Sequence, residues 1–437
     1  MSVLIVCYSF PPVGGAGVQR VLKLVKYLPG YGVTPTVLTV RNPSVPVRDS
    51  SLLREVPPAV RVVRVRTFEP SHAAKEDARR VGETASMAWS ARAAAAFVKL
   101  GGKLLVPDPQ VLWLPAAHRI LARRLRRLAD DVVFISGPPF SQFWLAPMVR
   151  LRRGAAVVLD YRDEWRMASR SRSSRLEARL ESRLLRCADA VTTATSAYRS
   201  ELCDRHAFLD PARVCAIPNG YDPGDFQRDL PRPGGDRFVL TYVGTVFSLT
   251  TARWLIDAVR ALHAREPELA RLLTLRFVGR IVGAEARHLQ GTEALGVEQT
   301  GYVDHDRAID ELARCHAAVC ILDSAPGAER VYPAKIFEIM HLRKPCLVLA
   351  PDGALKDLVQ RHGIGEVVAP RDVPSIVAAL GRMLRDFRAG VAPLTTAPVD
   401  VEGFDRQRQA GAFADVFRAA AVLARGNRRH LLASAWS

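Results

Sequence analysis

Two doubly wound α/β domains are predicted by three features of this sequence. Its 437 residues exceed the roughly 150–200 that one core ordinarily organises. Short runs of Val, Ile and Leu alternate with amphipathic stretches of helical period, the pattern of parallel strands covered by helices on both faces. Between Pro211 and Arg237, the stretches PNGYDPGDF and DLPRPGGD concentrate the Pro, Gly, Asn and Asp that redirect a chain, and the alternation restarts after them.

In the first half, strands are expected at Val3–Tyr8, Pro35–Val40, Val60–Val65, Val132–Ser136, Ala155–Asp160, Ala190–Ala194 and Val214–Ile217, with helices between them. The second half continues with Phe238–Val243, Leu275–Val278, Val297–Thr300, Ala317–Leu322, Cys346–Ala350 and Gly365–Val368. The domains are set at residues 1–213 and 214–402. Residues 403–437 are read as a last helix, Phe404 to Arg425, packing back across the domain junction and ending in a tail.

Composition narrows the function classes. Hydrophobic residues make up 49% of the chain, and no tract is polar or repetitive enough to read as disordered or solenoidal. The opening MSVLIVCYSF lacks a basic leader region, and no run of about 18 apolar residues occurs, so neither export nor a membrane span is expected. The seven cysteines are scattered without a CxxC pair, which suggests neither disulfides nor zinc and suits a reducing cytoplasm. Charge is uneven. Residues 1–210 hold 33 Lys and Arg against 18 Asp and Glu, leaving 29 against 26 for the remainder. The densest runs are Arg119 to Arg127, Arg150 to Arg153 and Arg166 to Arg186. They read either as solvated helix faces or as contacts for an anionic surface, lipid headgroups or a pyrophosphate-linked acceptor. Nucleic acid is not expected, because aromatics do not interleave with the basic runs. An Ala-rich amphipathic run from Met87 to Leu105 fits either a membrane-surface helix or a buried crossover helix.

Four segments carry candidate chemistry. After the first strand, Ser9 to Gly17 (SFPPVGGAG) leads into a helix starting near Val18, and Gly14 and Gly15 let backbone N–H groups approach an anion there. The same glycines also suit a plain tight turn. A dinucleotide fingerprint is absent, since Arg20 stands where the third glycine belongs. In the second half, RVYPAKIFE opens a helix with Pro333 suited to its first turn. Lys335 and Glu338 share a face, placing a cation for a diphosphate and a carboxylate for a ribose diol, or forming an ordinary helix pair. Asp304-His305-Asp306 superficially resembles a metal-binding triplet, but its place before RAIDELARC favours a helix cap, and no metal is expected. LDYRDEW, Leu159 to Trp165, follows a strand at the end where open sheets bind ligands. Arg162 and Asp163 therefore read as ligand-facing or as a loop-closing pair.

Together these segments resemble family four of the retaining GT-B glycosyltransferases. In order the chain has YSFPPVGGAGVQR, SGPPFS, LDYRDEW, CADAVTTATSA, IPNGYD, LTYVGT, FVGR, TGYVD and YPAKIFEIMHLRKPCLVLAPDG, nine segments spanning nearly its whole length. The first two are similar to those of a bacterial branch associated with surface polysaccharide assembly. The resemblance implies two Rossmann-like domains facing across a cleft, and transfer of a sugar from a nucleotide diphosphate donor to a glycan or lipid-linked acceptor. It implies a base near Arg280 and Tyr302, a ribose on Glu338, and a diphosphate near Lys335, Gly244, Gly14 and Gly15. It further implies front-face substitution in which the leaving diphosphate assists deprotonation of the acceptor and no enzyme nucleophile is required; no metal or other cofactor is expected. Cysteine usage and the missing leader place the chain in the cytoplasm, and contact with the inner face of the membrane is a separate expectation that rests on the basic first half and the run from Met87 to Leu105.

The chain departs from that family at three places. The glutamate expected eight residues before Glu338 is Arg330, with Glu329 one position away; Arg330 is taken as a catalytic candidate with Arg162 and Asp163. The cations expected after the first strand of the second domain fall at Thr245 and about Thr250, leaving Arg253, Arg280, Arg330 and Lys335 as substitutes. The family's His-Asp reads Arg162-Asp163, trading an imidazole for a fixed charge. Two rival functions stand beside glycosyl transfer: a sugar-nucleotide-binding pseudoenzyme subunit, and a nucleotide-sugar epimerase of the same fold.

Overall fold

The computed structural model describes residues 1–75, 107–152, 155–168, 175–391 and 398–434. The run from Met87 to Leu105 and the arginines at 170 and 172 lie outside them. The chain divides into two units, Met1–Pro218 with Gln409–Ser437, and Asn219–Arg408.

The first unit is built on seven parallel strands: β1 (Ser2–Val6), β2 (Thr34–Val40), β3 (Arg61–Val65), β4 (Val132–Gly137), β5 (Ala156–Tyr161), β6 (Ala190–Thr193) and β7 (Val214–Ala216). Their order is β3-β2-β1-β4-β5-β6-β7. The direction of winding reverses between β1 and β4, so right-handed crossovers deliver helices to opposite faces of the sheet. Period-two alternation then splits each strand between two cores. Val3 and Ile5 of β1 enter one core with the helix Ala16–Tyr27. Leu4 and Val6 enter the other, with the helices Leu114–Arg126, Ala146–Arg152, Arg175–Leu185 and Ser196–Arg205. The long helix Arg406–Ser434 joins the first of these cores through Ala410, Phe413, Phe417 and Ala420. There Phe413 and Phe417 meet Phe134 of β4 edge-on, with centroids 5.6 and 5.3 Å away, arrangements that contribute about 0.5–1.5 kcal/mol each beyond area burial.

The second unit repeats the plan with six strands: β8 (Phe238–Val243), β9 (Leu273–Val278), β10 (Val297–Gly301), β11 (Ala317–Ile321), β12 (Cys346–Leu349) and β13 (Gly365–Val368). The order is β10-β9-β8-β11-β12-β13, again parallel, with the reversal between β8 and β11. The helices Arg253–Arg265 and Val373–Arg388 cover one face. The helices His305–Arg314, Lys335–His341 and Ala354–His362 cover the other.

Two boundaries move relative to the sequence reading. β7 pairs in register with β6, Val214 opposite Val191, so the first unit runs through Pro218 and not to residue 213. Phe404 packs against Phe337 and His362, with centroids 4.8 and 5.3 Å away, which keeps residues 403–408 in the second unit. The last helix starts at Arg406, two residues later than expected.

Candidate functional site

In each unit the candidate residues gather at the carboxyl ends of the strands beside the winding reversal, where an open parallel sheet leaves a crevice for ligands. In the first unit that point is flanked by the turn after β1 and the segment after β4. Gly15 caps the helix Ala16–Tyr27 with φ 93°, a left-handed conformation that glycine adopts at little cost. The Gly14 N–H donates to Val47 O at 3.2 Å, so that amide already serves the turn. Arg162 ties the two flanks together. Its Nε donates to Gly137 O at 3.2 Å, and its two terminal nitrogens donate to Gly17 O and Pro138 O. Three of the five N–H groups of Arg162 are thereby spent on backbone carbonyls. The neighbouring Asp163 is exposed, and its carboxylate has no hydrogen-bond partner among the described residues. Of the two readings of the Arg162-Asp163 step, the structure gives the arginine a loop-closing role and leaves the carboxylate accessible.

Beneath this edge lies a buried polar network that the sequence reading missed. Asp160, fully buried at the end of β5, accepts from Arg20 Nη2 at 2.9 Å, from Ser136 Oγ at 2.6 Å and from Thr192 Oγ1 at 2.8 Å. Arg20 also donates from Nη1 to Pro218 O at 3.0 Å and lies over the Phe413 ring, 4.9 Å from its centroid. The network thus joins the helix behind the glycine turn, three strands and Pro218, the last residue of the unit's first segment. The available signal was the apolar setting of Arg20, between Val18 and Val21-Leu22, but its partner is 140 residues away in sequence.

In the second unit the turn after β8 lies directly on the turn after β9. Gly244 donates to Val278 O at 2.9 Å, Val246 N to Arg280 O at 2.9 Å, and Gly279 N to Gly301 O at 2.9 Å. This chain of backbone bonds brings Gly244, Arg280 and Tyr302 to one edge. Gly279 has φ 132°, and a Cβ there would stand 2.0 Å from Gly244 O. Gly279→Ala is accordingly expected to destabilise the protein by about 1–3 kcal/mol from backbone strain alone, read as a lower urea midpoint. An unchanged midpoint would mean that the two turns are free to part.

Arg280 is half-buried, and its guanidinium has no partner among the described residues. Tyr302 is 40% exposed. Thr245 stands where a cation was expected; its carbonyl is held by Tyr242 Oη at 3.0 Å and by Thr250 Oγ1 at 2.7 Å. Across the reversal, Lys335 and Glu338 meet at 2.5 Å, with Glu338 buried. The helix starts at Lys335 with Ala334 as its cap, so Pro333 precedes the first turn and does not sit in it. Arg330 pairs with the adjacent Glu329, which also accepts from Gly327 N at 3.0 Å. Asp304 caps its helix by accepting from Arg307 N at 2.8 Å.

Comparison with known proteins matches both units. Residues 13–225 fit the model of Glycosyltransferase Family 4, and residues 237–386 fit that of Glycosyl transferases group 1. A D-inositol 3-phosphate glycosyltransferase of Stackebrandtia nassauensis is 29% identical over 210 residues, 45% of this chain; the match spans 46% of that relative, just under half its length. A glycogen synthase of Mycobacterium tuberculosis is 26% identical over 435 residues, 96% of this chain and 95% of the relative. Among solved structures, Anabaena Alr3699/HepE in complex with UDP-glucose superposes with a TM-score of 0.63 at 16% identity, covering 96% of this chain and 100% of that one. The lipopolysaccharide outer core galactosyltransferase WaaB superposes at 0.56 and 13% identity, covering 96% and 99%. Two parallel-sheet units with both family models in chain order place this chain among the GT-B glycosyltransferases of the family-4 type.

Proposed function

We propose that this chain transfers a sugar, with retention of configuration, from a nucleotide diphosphate sugar to a glycan or lipid-linked anionic acceptor, without a metal. The observation that carries the reading is the edge of the second unit. There Gly244, Arg280, Tyr302, Lys335 and Glu338 stand beside the reversal of the sheet, within residues that fit a glycosyl transferase model. In this reading Tyr302 and Arg280 receive the base, and Glu338 accepts from the ribose diol. The unpaired guanidinium of Arg280 and the ammonium of Lys335 are the charges that stabilise the departing diphosphate. Arg330 is held by Glu329 and contacts the sugar from that pair. In the first unit Asp163, whose carboxylate accepts no hydrogen bond among the described residues and feels the charge of Arg162, and the turn at Gly14 and Gly15 are assigned to substrate, while Arg162 fixes the turn. The excess of cations in the first 210 residues suits an anionic acceptor. Glycosyl transfer at the cytoplasmic side of a membrane fits these assignments, and among the described residues no helix is long and apolar enough to cross one.

A thermal-shift screen of UDP-, GDP-, ADP- and dTDP-linked sugars, with and without EDTA, tests this. A ligand at a hundred times its dissociation constant adds about 2.7 kcal/mol of stability. One nucleotide class is expected to raise the melting temperature equally in both conditions, and product formation with a polyprenyl-diphosphate-linked glycan is expected to follow. Stabilisation without turnover would favour a binding subunit. Isomerisation of the sugar without acceptor would favour an epimerase. Loss of the shift in EDTA would overturn metal independence.

A further inference from the structure

The helices that cover one face of the first unit's sheet present an arginine surface with no exposed carboxylate on any of three of them. The helix Leu114–Arg126 contains no Asp or Glu, and exposes Arg119, Arg123 and Arg126 along one stripe. On the helix Ala146–Arg152, also without an acid, Leu151 is 82% exposed between Arg150 and Arg152, and Trp144 just before it is 44% exposed. The helix Arg175–Leu185 exposes Arg175, Arg179 and Arg183, with Leu176 65% exposed beside them. All three bury their inner sides in the same core, with Ala117, Val149 and Leu184 among its members, and so lie on one side of the sheet.

Two features set this face apart from an ordinary solvated one. Like charges four residues apart work against a helix, and here they are left unrelieved: apart from Arg150, which pairs with Asp189 at 3.0 Å, the exposed arginines of the three helices have no partner among the described residues. The two glutamates that could have relieved the third stripe, Glu177 and Glu181, point inward and are buried, Glu181 against Arg205 at 3.5 Å and His206 at 3.6 Å. Large apolar side chains stand among the cations, where water alone gives no reason for them. Unpaired guanidinium groups interspersed with protruding Leu and Trp complement a surface that is anionic outside and apolar just beneath. We propose that this face docks on an anionic lipid bilayer, the arginines meeting headgroup phosphates while Leu151, Leu176 and Trp144 enter the acyl boundary. The inference is independent of the donor assignment, which concerns the other unit.

Flotation of the full chain with phosphatidylcholine vesicles, and with vesicles holding about 30% phosphatidylglycerol, tests this. Binding to the anionic vesicles alone is expected at about 50 mM salt, weakening strongly by about 300 mM. Each arginine at a bilayer surface contributes about fivefold, so Arg119→Gln/Arg123→Gln/Arg126→Gln and Arg175→Gln/Arg179→Gln/Arg183→Gln are each expected to weaken partitioning by about 100-fold. Leu151→Asp is expected to weaken it at every salt concentration. A control with the same charge change in the second unit, Arg265→Gln/Arg287→Gln/Arg388→Gln, is expected to bind like the parent. The proposal falls if the anionic vesicles are not bound at the lower salt, if the control loses as much as either triple, or if a duplex oligonucleotide competes the protein off the vesicles, which would assign the face to nucleic acid.

Discussion

Asp160→Ala is expected to lower the stability of the protein by about 3–5 kcal/mol, the cost of removing one partner from a buried ion pair. The magnitude rests on what is left behind. Arg20 is 3% exposed, so its guanidinium would keep its charge in a place that water reaches poorly, with only Pro218 O and the face of Phe413 for company. Ser136 and Thr192, both fully buried, would lose their acceptor as well. For a unit of this size the loss corresponds to a melting temperature lower by roughly 10 °C. Removing both charges, as Arg20→Met/Asp160→Leu, is expected to cost less than the single change, because no uncompensated ion remains. Differential scanning calorimetry of Arg20→Met, Asp160→Leu and the pair gives the cycle directly, with Asp160→Ala measured beside them. A single-variant loss under about 1 kcal/mol, the scale of an exposed pair, would mean that the network is hydrated and that it does not anchor the loops. The expectation extends to the site, since Asp160 stands two residues before Arg162, and Arg20 belongs to the helix capped by Gly15.

What could be read from the sequence follows from the range of the forces involved. Among the described residues each of the thirteen strands begins or ends within two residues of its expected place: the inner strands are buried on both faces and continuously apolar, and the exposed edge strands, such as β10 (VEQTG), are placed by the helices on either side, each of which carries a stripe of its own period. The cap at Asp304 was legible for the same reason, since its partner is three residues away. Charged residues were not legible in this way. The helix Ala16–Tyr27 buries Arg20 and Lys23 along with its valines and leucines, and no local pattern distinguishes an arginine that turns inward from the many that do not. Arg162 illustrates the same limit. That it closes on Gly17, Gly137 and Pro138 depends on three segments far apart in sequence. The family resemblance located the position but could not say whether a guanidinium there would meet substrate or backbone. The break between units was set before β7, although Val214–Ile217 was legible as a strand, because β7 is only three residues long and leads into a loop rich in turn formers, and nothing local says that so short a strand pairs back with β6.

Glu338→Ala is expected to abolish the stabilisation by donor while leaving the fold intact, and the contact with Lys335 sets the size of the effect. A carboxylate that accepts two hydrogen bonds from a diol gains about 1.5–3 kcal/mol from each. Without ligand, however, one oxygen of Glu338 already accepts from Lys335 at 2.5 Å, and a bound donor must share that oxygen or draw the ammonium away to its diphosphate. Allowing for that exchange, a net loss of about 3 kcal/mol remains, roughly a hundredfold in dissociation constant. At a donor concentration that adds about 2.7 kcal/mol to the parent, the variant should gain only about 0.4 kcal/mol. Lys335→Ala separates the two roles. It frees Glu338 for the ribose but removes a cation from the departing diphosphate, so it is expected to lower kcat more than it raises KM. Calorimetric titration of a nucleoside diphosphate into both variants, beside turnover of Lys335→Ala, distinguishes these outcomes. If Glu338→Ala binds the nucleotide as tightly as the parent, the pair is an ordinary helix contact and the ribose must be sought elsewhere on the edge formed by Gly244, Arg280 and Tyr302.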